Sequence, residues 1–180
     1  MNTHEINTVL KKMLSTRRAD ILDGLRHIKA NKNNPPQGQV LTRGIELLRF
    51  PDADIREEAV AAFGLHWQCQ EVFPILLKML KGDESDQIVL EITARAVAAY
   101  ASISLPDKSL ALNTLAKIAL NADSDPELRG IAYLSAKRLA NKITDAVWAH
   151  TEEDIEELDV DWNWLHTLTQ AMPNRLAAVK

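Results

Sequence analysis

The chain holds a single cysteine, Cys69, so no disulfide forms within it, and a lone thiol fits a reducing compartment. Glycine and proline are scarce, six and seven residues in 180, while alanine and leucine abound. That balance favours helix over the turn-rich chains of all-β folds. No apolar run approaches the roughly 18 residues a membrane span requires; the longest, such as 59–63 and 96–101, are far shorter. The N-terminal MNTHEINTVLKKML lacks a basic segment followed by a long apolar core, so no secretory signal is expected and the expected location is cytoplasmic.

The chain is 46% hydrophobic and 26% charged, the composition of a globular protein. A chain of this size buries roughly 70% of the surface it exposes when unfolded, which supports one domain spanning 1–180. The net charge of −4 conceals an asymmetry. Residues 1–50 hold nine Lys and Arg against four Asp and Glu, and the remainder holds twelve against twenty-one. The two ends are therefore expected to face different partners, or each other.

One pattern is written three times. Ile55, Ala59, Val60, Ala62 and Phe63 recur as Ile92, Ala96, Val97, Ala99 and Tyr100 at an offset of 37, and as Leu128, Ala132, Tyr133, Ser135 and Ala136 at a further offset of 36. Spacing i, i+4, i+7, i+8 is one face of a helix. The small residue at the second position lets a neighbouring helix approach closely. Between the copies run other apolar stripes: Leu41, Ile45 and Leu48; Val72, Ile75, Leu76, Met79 and Leu80; Leu112, Leu115 and Ala119. The unit is a helical hairpin of 35–40 residues, a period that marks an α-solenoid. PDAD, GDESD and NADSDP place aspartates ahead of each repeated helix as caps, and Pro126 suits a first helical position.

The residues Asp-x-Asp-Ile-Arg-x-x-Ala-x-x-Ala-Phe-Gly at 52–64 resemble the signature helix of HEAT repeats, in particular the short bacterial PBS-lyase HEAT-like type. The resemblance covers about 39–142 and implies an all-α fold: an α-solenoid of about three HEAT-like hairpins. Residues 1–34 are expected to form an N-terminal helical cap, with Ser15 or Thr16 capping its second helix, and 143–180 an acidic C-terminal cap. NKNNPPQG, 31–38, reads as a loop. Thr93 stands where the other copies have Arg56 and Arg129, which breaks the Asp and Arg ladder of the family pattern.

Several chemistries fail on spacing. Asp123, Asp125 and Glu127 alternate as in a calcium loop, but Leu128 and Leu134 occupy the positions that need Gly and Glu, so the acids read as caps. His4, His27, His66, His150 and His166 are scattered without metal-ligand spacing. Some HEAT-type proteins are metal oxygenases with one His-Glu pair per repeat, and this chain has only His4-Glu5. His66 and Cys69 share spacing for a thiol and base pair, but a lone cysteine near a helix end reads first as a small buried hydrophobe. No nucleophile elbow, phosphate-binding glycine loop or dinucleotide fingerprint is present. No catalytic residue, metal or cofactor is assigned.

Two features remain. Lys11, Lys12, Arg17, Arg18, Arg26, Lys29 and Lys32 make a basic N-terminal segment that would suit phosphate, but the repeats are acidic and the sequence pI is near 5.7, which disfavours nucleic acid. TEEDIEELDVD, 151–161, carries seven carboxylates and no base, followed by WNWLHTL. Its plain reading is a solvated cap helix with inward tryptophans. Its sharper reading is a partner surface, because tryptophan is enriched at hot spots and a negative field speeds encounter with a basic partner.

The leading expectation is a non-enzymatic interaction scaffold that grips a basic protein through its concave row of repeated helices and its acidic cap. Its expected partner-binding residues are Glu57, Glu58, Trp67, Glu152, Glu153, Asp154, Glu156, Glu157, Asp159, Asp161, Trp162 and Trp164. Small acidic solenoids of this kind look like the immunity proteins that neutralise bacterial toxins. The alternative is a HEAT-like enzyme of lyase or DNA glycosylase type, or a nucleic-acid binder, using the groove.

Overall fold

The computed structural model describes residues 3–31, 35–148 and 154–170, and every regular element in them is helical. In order these are α1 (Thr3–Met13), α2 (Arg18–Ala30), α3 (Gly38–Leu47), α4 (Ala53–Ala59) continued by a π-helical stretch (Val60–His66), and α5 (Phe73–Lys78) with a second π-helical stretch (Met79–Asp83). There follow α6 (Gln87–Ser104), α7 (Ser109–Leu120), α8 (Pro126–Leu139), the single turn α9 (Asp145–Trp148), a 3-10 turn (Ile155–Glu157) and α10 (Trp162–Gln170). Packing divides the chain into two compact units, Met1–Tyr100 and Ala101–Lys180, and the division falls within α6.

In the first unit α1 packs on α2 and α3, α2 on α4 and its π-helical continuation, and α3 on α4. The repeated face supplies the core: Ile55, Ala59, Val60, Ala62 and Phe63 are all fully buried. In α3 the buried stripe is Val40, Gly44 and Leu47, rotated from the expected Leu41 and Ile45, which are half-buried. The reason is Gly44. A Cβ there would lie 2.3 Å from Phe63 Cζ, so the missing side chain is the socket for the Phe63 ring. In the part of α6 that belongs to this unit Ala96, Val97, Ala99 and Tyr100 are buried, and Tyr100 stacks on Phe73 at 4.6 Å.

In the second unit α8 packs along α7, burying Leu115, Ala116 and Ala119 and the third copy of the repeated face, Leu128, Ala132, Tyr133, Ser135 and Ala136. α10 packs on α7 with Leu165 fully buried. The buried Asn113 amide donates to the carbonyls of Leu168 and Thr169 at 3.1 and 3.3 Å, tying α7 to the last described turn of α10.

The caps follow the sequence. Asp52 accepts from Ile55 N, Asp86 from Val89 N and Asp125 from Glu127 N, and Pro126 opens α8. α2 differs. Its N-cap is Arg17, with no side-chain cap, because Ser15 instead accepts from Arg17 N and donates to Asp20.

The repeated arginine acts on backbone. Arg56 Nη1 donates to the Phe50 and Pro51 carbonyls, both at 2.9 Å, and Arg129 Nε to the Ala119 carbonyl at 3.2 Å. Each thereby closes acceptors at or just beyond the end of the preceding helix. Thr93, in the equivalent place, is fully buried and bonds the Val89 carbonyl of its own helix at 2.6 Å. A hydroxyl is too short for the arginine's role.

Candidate interaction surface

The acidic segment is fixed from beneath. Ile155 is buried against α8, and the Tyr133 hydroxyl donates to the Asp159 carbonyl at 3.1 Å while accepting from Asp161 N at 3.0 Å. One side chain of α8 therefore fixes two backbone groups of the strip. Two of its carboxylates act as caps: Asp154 accepts from Glu156 N at 2.8 Å and Asp161 from Trp164 N at 2.9 Å. Glu156, Glu157 and Asp159 are exposed, with no ion pair among the described residues. Glu152 and Glu153 lie outside the described residues. Where a continuous cap helix was expected, the chain makes one 3-10 turn and begins α10 only at Trp162.

The two tryptophans part company. Trp162 is 43% exposed, with the Arg129 guanidinium 6.0 Å from its ring. Trp164 is half-buried, edge-on to Tyr133 at 6.2 Å, with Lys142 Nζ 4.6 Å from its ring centroid. The surface so formed is a short carboxylate strip ending in one exposed indole.

The other expected site residues sit in the first unit. Glu57 is half-exposed. Glu58 lies against Lys29, Oε1 to Nζ 2.5 Å, with its side chain 13% exposed. Trp67 is half-buried and donates from Nε1 to the Ile28 carbonyl at 2.9 Å, and the neighbouring His66 ring reaches the Asn31 carbonyl at 3.2 Å. The wider π-helical turn, closed by Trp67 N on the Ala62 carbonyl five residues back, delivers both rings to the end of α2. Glu58 and Trp67 therefore hold helices together, and Glu57 alone of the three stays clear.

The basic N-terminal segment is largely neutralised within its own unit. Lys12 pairs with Asp23, Arg17 with Asp20, Arg18 with Asp52 and Asp54, and Lys29 with Glu58. The Lys12 hydrogen bond and charge hold Asp23 below the usual carboxylate range. Lys32 lies outside the described residues, and of the other six cations the sequence offers to phosphate four are engaged in this way. The charge asymmetry of the chain thus resolves partly into contacts of α1 with α2 and of α2 with α4.

Burial first, then the charge of Glu71, pushes the Cys69 thiol up to about 11, which favours the protonated form at neutral pH. Among the described residues no group of three or more His, Cys, Asp or Glu is arranged to hold a metal ion, and no helix is long and apolar enough to cross a membrane.

Pattern reading passed over Tyr133 and Asn113, which place the strip and α10. The signal for Tyr133 was present: it takes a position filled by Val60 and Val97 in the other copies, and a buried tyrosine needs a partner for its hydroxyl. Asn113 gave no such signal. Compared with family models, with curated proteins and with solved structures, the chain gives no significant match.

Proposed function

We propose that the chain is a non-enzymatic protein-interaction module, a short α-solenoid of HEAT-like hairpins, that binds a basic protein partner in the manner of an immunity protein. The observation that carries this reading is the strip Glu156, Glu157 and Asp159. Three carboxylates without described counter-charges project from backbone that Tyr133 and Ile155 hold in place. A fixed negative strip loses little conformational freedom on association and attracts a basic surface from a distance. Trp162 adds an exposed aromatic anchor at its end. The internal pairing of the N-terminal cations, and the protonated thiol of Cys69, weigh against the nucleic-acid and thiol-enzyme readings.

Affinity capture with the full chain, followed by mass spectrometry, tests the proposal. The expected result is a basic protein retained at low ionic strength, released by salt, and lost to Trp162→Ala. Recovery of nucleic acid, or of protein held equally well by the Trp162→Ala chain, defeats it.

A further inference from the structure

The first unit carries a groove of about 520 Å³ between the turn that follows α3 and the π-helical end of α5. Sites for small ligands run from about 300 to 1,000 Å³. Part of its wall is apolar: Phe50 and Ile75 are half-buried and Met79 is buried. Two charges of opposite sign also line it, Arg49 and Asp83, both exposed. Among the described residues neither has an ion pair or a side-chain hydrogen bond, with the other or with any third group. Glu46 and Asp52, the acids on either side of Arg49 in sequence, are held by Arg43 and Arg18. The remaining charges of the groove, Arg56 and Glu84, meet each other at 2.6 Å. Every residue from 47 to 86 is described, so the segments that line the groove are complete. Met79 and Asp83 are the first and last residues of a π-helical stretch, a rare backbone that recurs at functional sites. Gly82 lies within that stretch at φ 119°, a conformation that a residue with a side chain seldom adopts.

We propose that this groove binds a free α-amino acid with a large apolar side chain, its carboxylate at Arg49, its ammonium at Asp83 and its side chain against Phe50, Ile75 and Met79. The two unpaired charges select the occupant. An anion would meet Arg49 but bring a like charge to Asp83, a cation would do the reverse, and an uncharged apolar molecule would desolvate both without replacing their hydration. A zwitterion answers each charge with its opposite. A segment within a protein chain carries neither terminal charge, and would need an acidic and a basic side chain in their place. Arg56 and Glu84 do not compete for the ligand, because each is already met by the other and by backbone groups. Those backbone bonds also fix the turn after Arg49 and the turn after Asp83, and a site held in place before binding loses little freedom on association. The groove is independent of the carboxylate strip, since it shares none of Glu156, Glu157, Asp159 or Trp162 with it.

The test follows the amide chemical shifts of the isotope-labelled full chain as leucine, N-acetylleucine or leucinamide is added. Leucine is expected to move the amides of 48–50 and 79–85, and to bind at least about tenfold tighter than N-acetylleucine, which lacks the ammonium, or leucinamide, which lacks the carboxylate. Asp83→Asn is expected to weaken leucine by about tenfold and leave N-acetylleucine unchanged, and Arg49→Gln to weaken leucine equally and leave leucinamide unchanged. Both positions are exposed, so neither substitution disturbs the core. The absence of any shift with leucine, methionine or phenylalanine at about 50 mM, equal affinity for the three leucine compounds, or leucine affinity unchanged in either variant overturns the proposal. So does tighter binding of leucine inside a tripeptide blocked at both ends than of free leucine, which would assign the groove to a segment of a protein.

Discussion

Arg56 and Glu84 form a two-point ion pair, Nε to Oε2 at 2.6 Å and Nη2 to Oε1 at 2.9 Å, between residues 28 apart in sequence. Glu84 Oε1 also accepts from Ser85 N and Asp86 N, both at 2.9 Å, and Arg56 Nη1 bonds the Phe50 and Pro51 carbonyls. The Arg56 and Glu84 side chains are 15% and 4% exposed. The pair thus ties the turn before α4 to the turn before α6, and each charge is met by backbone groups as well as by its partner.

Removing either partner leaves the other without its opposite charge. Arg56→Ala and Glu84→Ala are each expected to cost about 1–3 kcal/mol in urea denaturation, with the double variant costing less than the sum. Arg56→Lys is not expected to restore the loss, because an ammonium cannot serve both carboxylate oxygens and two carbonyls. Burial opposes ionisation of Glu84, but Arg56 and the two backbone N–H groups outweigh it and hold the carboxyl below its usual 4.5. Its contribution is therefore fully present above that value and lost as pH falls through the lower folded one. The hydrogen bonds it donates to Glu84, working against burial, raise Arg56, whose share stays constant across the accessible range. Glu84→Gln is expected to flatten the acid limb of a stability-against-pH curve, and an unchanged limb would place the acid sensitivity elsewhere.

Gly44 and Phe63 give a second test. Gly44→Ala would normally gain about 1 kcal/mol from helix propensity. Here its new Cβ meets the Phe63 ring at 2.3 Å, and overpacking of about 1–3 kcal/mol is expected to prevail. Thermal melts of Gly44→Ala, Phe63→Leu and the pair should show the double variant more stable than additivity allows.

Much of this fold was legible, for a definite reason. Ile55, Ala59, Phe63, Ala96 and Ala132 sit in the core because helical periodicity reports the face a residue occupies, and Asp52, Asp86 and Asp125 cap because capping is local. What periodicity cannot report is the partner across a long separation. Trp67 and Glu58 looked available for binding until Ile28 and Lys29, 39 and 29 residues earlier, met them. The α3 stripe was misplaced because glycine does not count as apolar, although Gly44 is where the Phe63 ring is seated. In the candidate surface the acids were visible as a run, but their sorting into caps (Asp154, Asp161) and projecting charges (Glu156, Glu157, Asp159) depends on where the 3-10 turn and α10 begin.

Ser135 is fully buried in α8, and its hydroxyl has no hydrogen-bond partner among the described residues. The other copies carry Ala62 and Ala99 there. Ser135→Ala removes an unsatisfied polar group without changing volume much and is expected to stabilise by about 1 kcal/mol in denaturant titration. A loss of similar size would mean that the hydroxyl has a partner after all.

Tyr133→Phe deletes the single group that holds both Asp159 and Asp161. The global cost should be about 1 kcal/mol, that of a lost hydrogen bond. The sharper readout is local: amide exchange across 155–161 should rise well before that of α7 and α8. Protection unchanged at Asp161 N would show the strip to be held by Ile155 alone.

The central claim is that the carboxylate strip recruits a basic partner, and the association rate of the captured partner against ionic strength tests it most directly. For the unaltered chain the rate is expected to fall about tenfold or more between 50 and 500 mM salt, and the triple variant Glu156→Gln, Glu157→Gln, Asp159→Asn should start slower and lose most of that dependence. Equal rates and equal salt slopes for the two chains would contradict the account.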